Sequence, residues 1–154
     1  MVTRSYRHTQ HNSLLPLAMS IAGVGTLLLI VLPATRPIEL GVRLTVAVAA
    51  VVMIVSGLVF STLTIAIDDE RLSWRFGLGL FRKSVPLSEV VSAEPVRTTW
   101  IEGWGIHLTW RGWLYNVAGH NAVRVVLRSG NSFLLGTDEP MKLAEALTTV
   151  KRDT

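Results

Sequence analysis

The chain has no cysteine, which excludes disulfides, thiolate nucleophiles and zinc ribbons. Charge is scarce as well: 17% of its 154 residues are Asp, Glu, Lys or Arg, against about 25% in soluble domains. Two long apolar runs, Leu14 to Pro33 and Leu44 to Ile67, carry no ionisable side chain, so neither offers residues for a proton relay or ion pathway. No GxSxG, HExxH or paired-carboxylate pattern is present. The GLG at 77–79 lacks the spacing of a dinucleotide fingerprint, and Asp68-Asp69-Glu70 reads as a solvated turn. His107 and His120 have no third partner at metal-ligand spacing. No catalytic residue, cofactor or metal is expected.

A basic stripe is missing too. The net charge of +4 divides unevenly. Residues 1–67 hold Arg4, Arg7, Arg36 and Arg43 against Glu39, while residues 68–154 hold eleven basic and ten acidic side chains. The excess flanks the apolar runs, and nucleic-acid binding is not expected.

What the chain does have is grease in lipid-length pieces. A bilayer core needs about 20 helical residues. Residues 14–32 contain eleven Leu, Ile or Val, favouring insertion by about 3 to 7 kcal/mol before Gly, Ser and Pro subtract. The second run ends in STLTIAI, whose alternation marks a strand. The helix is therefore expected to stop near Phe60 and a strand to start near Ser61. The expected organisation is a tail over 1–13, a transmembrane hairpin over 14–60 (spans 14–33 and 42–60) and a β domain over 61–154. Ala18, Ala22 and Thr26 on the first span, and Ala50 and Gly57 on the second, are the small residues expected where the helices approach. Arg4, Arg7, Arg71, Arg75, Arg82 and Lys83 outnumber Arg36 and Arg43 of the connector. Both termini are therefore expected in the cytoplasm, with the chain multi-pass in the inner or plasma membrane.

Beyond the anchor, short alternating runs follow turns: RLSWRFG, LFRKSVPL, SEVVSAEPVRT, GIHLT, WLYNV, NAVRVVLR and SFLLGT. The period then lengthens, placing Met141, Leu143, Ala144, Leu147 and Val150 on one helical face, with Thr137 or Asp138 as cap. Six or seven antiparallel strands closed by a C-terminal helix make a small barrel or sandwich. The segments LTIAIDDERLSWRFGLGLFRKSVPLSEV, GWGI, GWLYNVAG and GTDEP resemble small prokaryotic membrane proteins with a bacterial pleckstrin-homology-like domain behind a helical hairpin. That resemblance covers about residues 62–150 and implies a fold and a location. Such relatives tend to read GIR where this chain has Gly105-Ile106-His107.

The stretch GWGIHLTWRGWLYNV holds three of the five tryptophans. Gly103, Gly105, Gly112 and Gly119 are expected at positive φ, bulges or close backbone approaches, and Gly136 is expected as a structural residue of the motif. Trp113, Tyr115 and Asn116 are expected as structural members of this motif, with two of the three tryptophans filling the barrel or covering its open end. Trp100 and Trp104 are the candidates for the membrane interface. Arg75, Arg82 and Lys83 could add about 1 kcal/mol each on anionic lipid.

The leading functional expectation is a non-enzymatic interaction or assembly module on the cytoplasmic face, with the bilayer and a protein partner or second copy as its contacts. Recognition of lipid headgroups or the bilayer surface is second. An enzyme using His107, His120 and Tyr115 at the barrel mouth is third.

Overall fold

The computed structural model describes residues 5–31, 39–68 and 70–152. In chain order these form β1 (Tyr6–His11), α1 (Leu14–Val31), α2 (Leu40–Val59), β2 (Thr62–Ile67), β3 (Arg71–Phe76), β4 (Arg82–Pro86), β5 (Val90–Arg97), β6 (Gly105–Thr109), β7 (Gly112–Asn116), β8 (Asn121–Leu127), β9 (Ser132–Gly136) and α3 (Pro140–Arg152).

At 1.5 Å per residue, the 18 and 20 residues of α1 and α2 are about 27 and 30 Å long, the thickness of a bilayer core. Both are long and apolar enough to cross a membrane, and they bury little of themselves. Leu14, Leu17, Ile21, Leu28 and Leu29 of α1 and Leu44, Val48, Val52 and Val55 of α2 are exposed. Where the helices touch, Ala50 and Gly57 do lie on α2's buried side. On α1 the contact stripe is different from the expected one. Gly23 is buried while Ala18 and Ala22 are exposed. A Cβ on Gly23 would lie 2.7 Å from Ile54 Cγ1, and one on Gly57 would lie 3.1 Å from Pro16 Cα. The crossing selects the positions where any side chain would hold the backbones apart.

The connector at 32–38 lies outside the described residues, as does Asp69 of the expected DDE turn. The helix-to-strand switch falls where the change of period places it, with α2 ending at Val59 and β2 starting at Thr62.

The N-terminal segment adds something the sequence pattern did not announce. Tyr6–His11 is an edge strand, running antiparallel to β2 with His11 opposite Thr62. Strands β1 and β2 are thus a β-hairpin whose connection is the helical pair. The joints are two residues each, Asn12-Ser13 and Phe60-Ser61. Asn12 is buried; its side-chain Oδ1 accepts the Leu15 N–H at 3.0 Å, capping α1, and its side-chain Nδ2 donates to Val117 O. Such joints hold the β unit at a set orientation to the helices.

Nine strands among the described residues, eight of them within 61–154 where six or seven were expected, form two sheets ordered β1-β2-β3-β4 and β5-β8-β9-β7-β6. One pair, β7 with β9, is parallel; all others are antiparallel. The reason is occupancy of edges: β5 covers one side of β8, so the β8–β9 hairpin presents β9, whose free side receives β7. Alternation sets the faces. Leu63, Ile65, Ile67, Leu72, Trp74 and Phe76 of the first sheet meet Tyr115, Val117, Val123, Val125, Phe133 and Leu135 of the second.

Helix α3 packs on β5 and β8 and sends Leu143, Ala144 and Leu147 into this core. Met141, expected on that face, is exposed, and the Val150 side chain lies outside the described residues. The helix begins at Pro140, whose missing N–H suits the first turn. Ahead of it, the Thr137 hydroxyl accepts the Glu139 N–H at 3.1 Å. His8 of β1 reaches Asp138 and Glu139, tying the N-terminal strand to the start of α3.

Candidate functional site

The two sheets do not close on each other along one side. There β4, an edge of the first sheet, faces β7 and β6, the latter an edge of the second. The residues of the second sheet that β4 faces change along its length. Phe81, just before β4, shares a cavity with Ile106 of β6. Lys83 Nζ donates to the Tyr115 hydroxyl of β7 at 2.8 Å. Val85 shares a second cavity with Leu127 of β8. Along β1 the order is the same: Asn12 meets Val117 after β7, and His8 meets Asp138 after β9. Because Phe81 and Asn12 lie at the helix end of their strands, β6 is the strand of its sheet nearest the helical hairpin.

The turn between β3 and β4 sits against the base of α2. The Gly77 N–H donates to Thr62 O at 2.9 Å, and a Cβ on Gly77, at φ 41°, would lie 2.5 Å from Val59 O. Phe60 stacks on Phe81 at 5.9 Å and meets Phe76 edge-on at 5.4 Å. The turn then projects Leu78 (87% exposed), Leu80 (72%) and Phe81 (46%). These large apolar side chains stand exposed beside the end of α2.

The tryptophan-rich stretch runs along the same edge. Trp104 Nε1 donates to Gly119 O at 3.3 Å, in the loop whose Val117 and Ala118 carbonyls accept from Asn12 and Gln10. None of its three tryptophans enters the core. Trp104, Trp110 and Trp113 are all exposed, with Leu108 between them; the buried indole is Trp74 of β3. Of the expectation that two of the three fill the barrel or cover its open end, the first alternative is absent, while Trp110 and Trp113 line a cavity on the open side. Period two places Trp113 on the inner face, but at this open edge no strand covers it. Trp100 and the neighbouring Ile101 are exposed on the crossover from β5 to β6.

The crossover is pinned by a pair the sequence pattern did not single out. Glu102 is buried, and both its oxygens accept from Arg111 Nη2 at 2.8 Å. Burial pushes the Glu102 carboxyl up. The hydrogen bonds from Arg111 and from the Thr99 backbone and hydroxyl, with the arginine's charge, outweigh it and hold the carboxyl below the usual carboxylate range. A capping box, Thr99-x-x-Glu102, was legible here.

Gly103, Gly105, Gly112 and Gly119 all have positive φ. Gly112 is the most constrained, since a Cβ there would lie 1.9 Å from Ser132 O, where β7 passes β9. Gly136 serves a close approach instead: a Cβ would meet the buried Asn116 amide, which itself donates to Gly119 O and accepts from the Ala118 N–H.

The cations fall on two faces. Lys83 points to the open side, 5.3 Å from the Tyr115 ring and 5.7 Å from the Trp113 ring. Arg75 and Arg82 stand directly opposite each other across β3 and β4. Together with Arg7 they line a polar cleft of about 280 Å³ on the outer face of the first sheet, with Asp68, Thr64 and Ser73. None of these three arginines has an ion-pair partner among the described residues.

On the open side, Phe60, Trp74, Phe76, Ile106 and Tyr115 wall a cavity of about 400 Å³ rimmed by Leu80, Phe81, Arg82 and Lys83. The catalytic trio weighed above is not assembled. His107 pairs with Leu114 in the β6–β7 ladder, so it lies on the opposite face from Tyr115, and His120 is exposed in the loop after β7. No group of three metal-ligating side chains occurs among the described residues.

Leu78, Leu80 and Phe81 were missed in the sequence because Gly77-Leu78-Gly79 reads as a break in an alternation and Leu80 and Phe81 as the start of the next strand, which begins at Arg82. The available signal was that the turn is apolar, where turns are ordinarily polar. No family model matches the chain, and no curated protein matches it.

Proposed function

We propose that this chain is a membrane-anchored, non-catalytic recognition domain of the pleckstrin-homology-like kind, held on the cytoplasmic leaflet by its helical pair and reading the bilayer surface with the β6 edge and the β3–β4 turn. One observation carries the reading: Leu78, Leu80 and Phe81 project beside the last turn of α2, where a span leaves the hydrocarbon. Trp104 and Trp100 add indole rings suited to headgroup depth. Arg75 and Arg82, the nearest cations behind the turn, suit an anionic leaflet. The rigid joints at Asn12-Ser13 and Phe60-Ser61 favour one face toward the lipid over a freely tumbling tethered domain.

The absence of cysteine makes the test direct. Single cysteines replacing Leu78 or Glu94, the latter exposed on the far strand β5, would carry spin labels in the full chain reconstituted in bilayers. The label at 78 should be reached by oxygen dissolved in lipid and shielded from a water-soluble relaxer, and the label at 94 the reverse. Equal access of the aqueous relaxer to both would sink the proposal.

A second reading, assembly with a protein partner, rests on β4 and β6 both being sheet edges, open to strand addition. Crosslinking from a cysteine at Leu108 in native membranes separates the two readings: capture of a protein favours assembly, and capture of lipid favours the surface reading.

A further inference from the structure

We infer that the cavity between β4 and β6 takes one acyl chain of an anionic phospholipid from the adjoining leaflet, with Lys83 holding its headgroup. The inference rests on the surface reading above and names the ligand of that same edge.

The cavity's size, about 400 Å³, lies within the roughly 300–1,000 Å³ of small-molecule sites. Its walls are Phe60, Trp74, Phe76, Ile106 and Tyr115, and no carboxylate among the described residues lines it. A polar metabolite would lose its hydration there for few hydrogen bonds in return; an alkyl chain loses nothing. The rim has the opposite character. Arg82 and Lys83 are exposed and without carboxylate partners among the described residues. Lys83 spends one of an ammonium's three donors on Tyr115. Walls of one kind and a rim of the other define an amphiphile with a negative head.

Two further observations place that amphiphile in the membrane. Phe60, part of the wall, directly follows α2, so the cavity opens at the depth where the span ends. Leu80 and Phe81 on the rim belong to the exposed apolar turn, giving a chain a continuous apolar path from bilayer to cavity. The Trp74 indole N–H is buried with no hydrogen-bond partner among the described residues, and Trp74 lines the cavity. An ester or phosphate oxygen would supply the missing acceptor.

Trp74 also serves as the reporter. In the full chain with Trp100, Trp104, Trp110 and Trp113 changed to phenylalanine, all exposed positions, Trp74 is the only indole. The protein would be reconstituted in nanodiscs of phosphatidylcholine with a minor fraction of phosphatidylglycerol, bromine being placed on the acyl chains of one lipid or the other. Brominated phosphatidylglycerol should remove most of the Trp74 emission and brominated phosphatidylcholine little of it. Lys83→Gln should weaken that preference about fivefold, the scale of one lysine near an anionic surface. Quenching by neither lipid, or equally by both, overturns the inference, and so does a preference unchanged in Lys83→Gln. The spin label at position 78 in the same discs tells the failures apart: lipid contact there with no quenching of Trp74 leaves surface docking standing and removes the cavity ligand alone.

Discussion

Asn12 and Val117 are joined by a hydrogen bond from the Asn12 amide to the Val117 carbonyl, linking the residue that caps α1 to the strand end nearest the helices. The bond makes the helical hairpin and the β unit mechanically continuous. Asn12→Ala would remove the cap and leave a buried carbonyl unpaired, each worth about 1 kcal/mol or more. Stability should fall by about 2–3 kcal/mol, read as a lower thermal midpoint in detergent. Hydrogen exchange should speed up in residues 116–119 as well as in the first turn of α1. Faster exchange in α1 alone would show that the joint does not couple the two parts.

Gly112 and Gly103 make a contrasting pair. Both have positive φ, but a Cβ at 112 would collide with the Ser132 backbone, while at 103 nothing lies within 4 Å. Gly103→Ala should cost about 1–3 kcal/mol from backbone strain alone and leave the protein folded. Gly112→Ala adds a clash that only separation of β7 from β9 relieves, and should abolish the folded state. Expression and near-ultraviolet circular dichroism of the two variants would check this.

Glu102 and Tyr6 each make stability depend on pH. The Glu102 carboxyl is held below the usual carboxylate range in the folded chain. Its contribution is fully present above the unfolded value, near 4.5, and is lost as pH falls through the lowered folded value. Arg111→Ala removes the charge partner of a carboxylate still held by Thr99, should cost about 1.5–3 kcal/mol at neutral pH, and should flatten the acid limb. At the other extreme, burial and the nearby Glu139 carboxylate, partly offset by Thr137, push the Tyr6 phenol up to about 12. Below pH 10 its contribution is intact; between 10 and 12 the unfolded chain sheds this proton first and stability falls. Thermal midpoints across pH should show both limbs, and Tyr6→Phe should remove the alkaline one.

Arg75 and Arg82 oppose each other as like charges on adjacent strands. In neutral detergent, Arg82→Ser should stabilise the β unit by about 0.2–1 kcal/mol. In bilayers containing phosphatidylglycerol the same change should reverse sign, because the anionic surface that offsets the repulsion loses a partner. Midpoints measured in both environments, with and without added salt, decide the matter. A gain in stability in both would remove any membrane role for the pair.

The sequence by itself determined the parts whose cause is local. The first ionisable-free run of bilayer length became α1 and the greater part of the second became α2, the shift of period at Ser61 became the helix–strand boundary, and SGN between alternating runs became the β8–β9 turn. Periodicity also sorted Leu72, Trp74 and Phe76 from Arg71, Ser73 and Arg75.

Only the tertiary structure decided what pairs with what. YRHTQH has no apolar alternation and became a strand because β2, brought beside it by the helical hairpin, offered a free edge. The β7–β9 pairing followed from which strand edges were already taken, and the exposure of Trp104, Trp110 and Trp113 from β6 being the last strand in its sheet. A side chain's period says which face it takes; whether anything covers that face depends on distant segments, and no local pattern encodes their arrival.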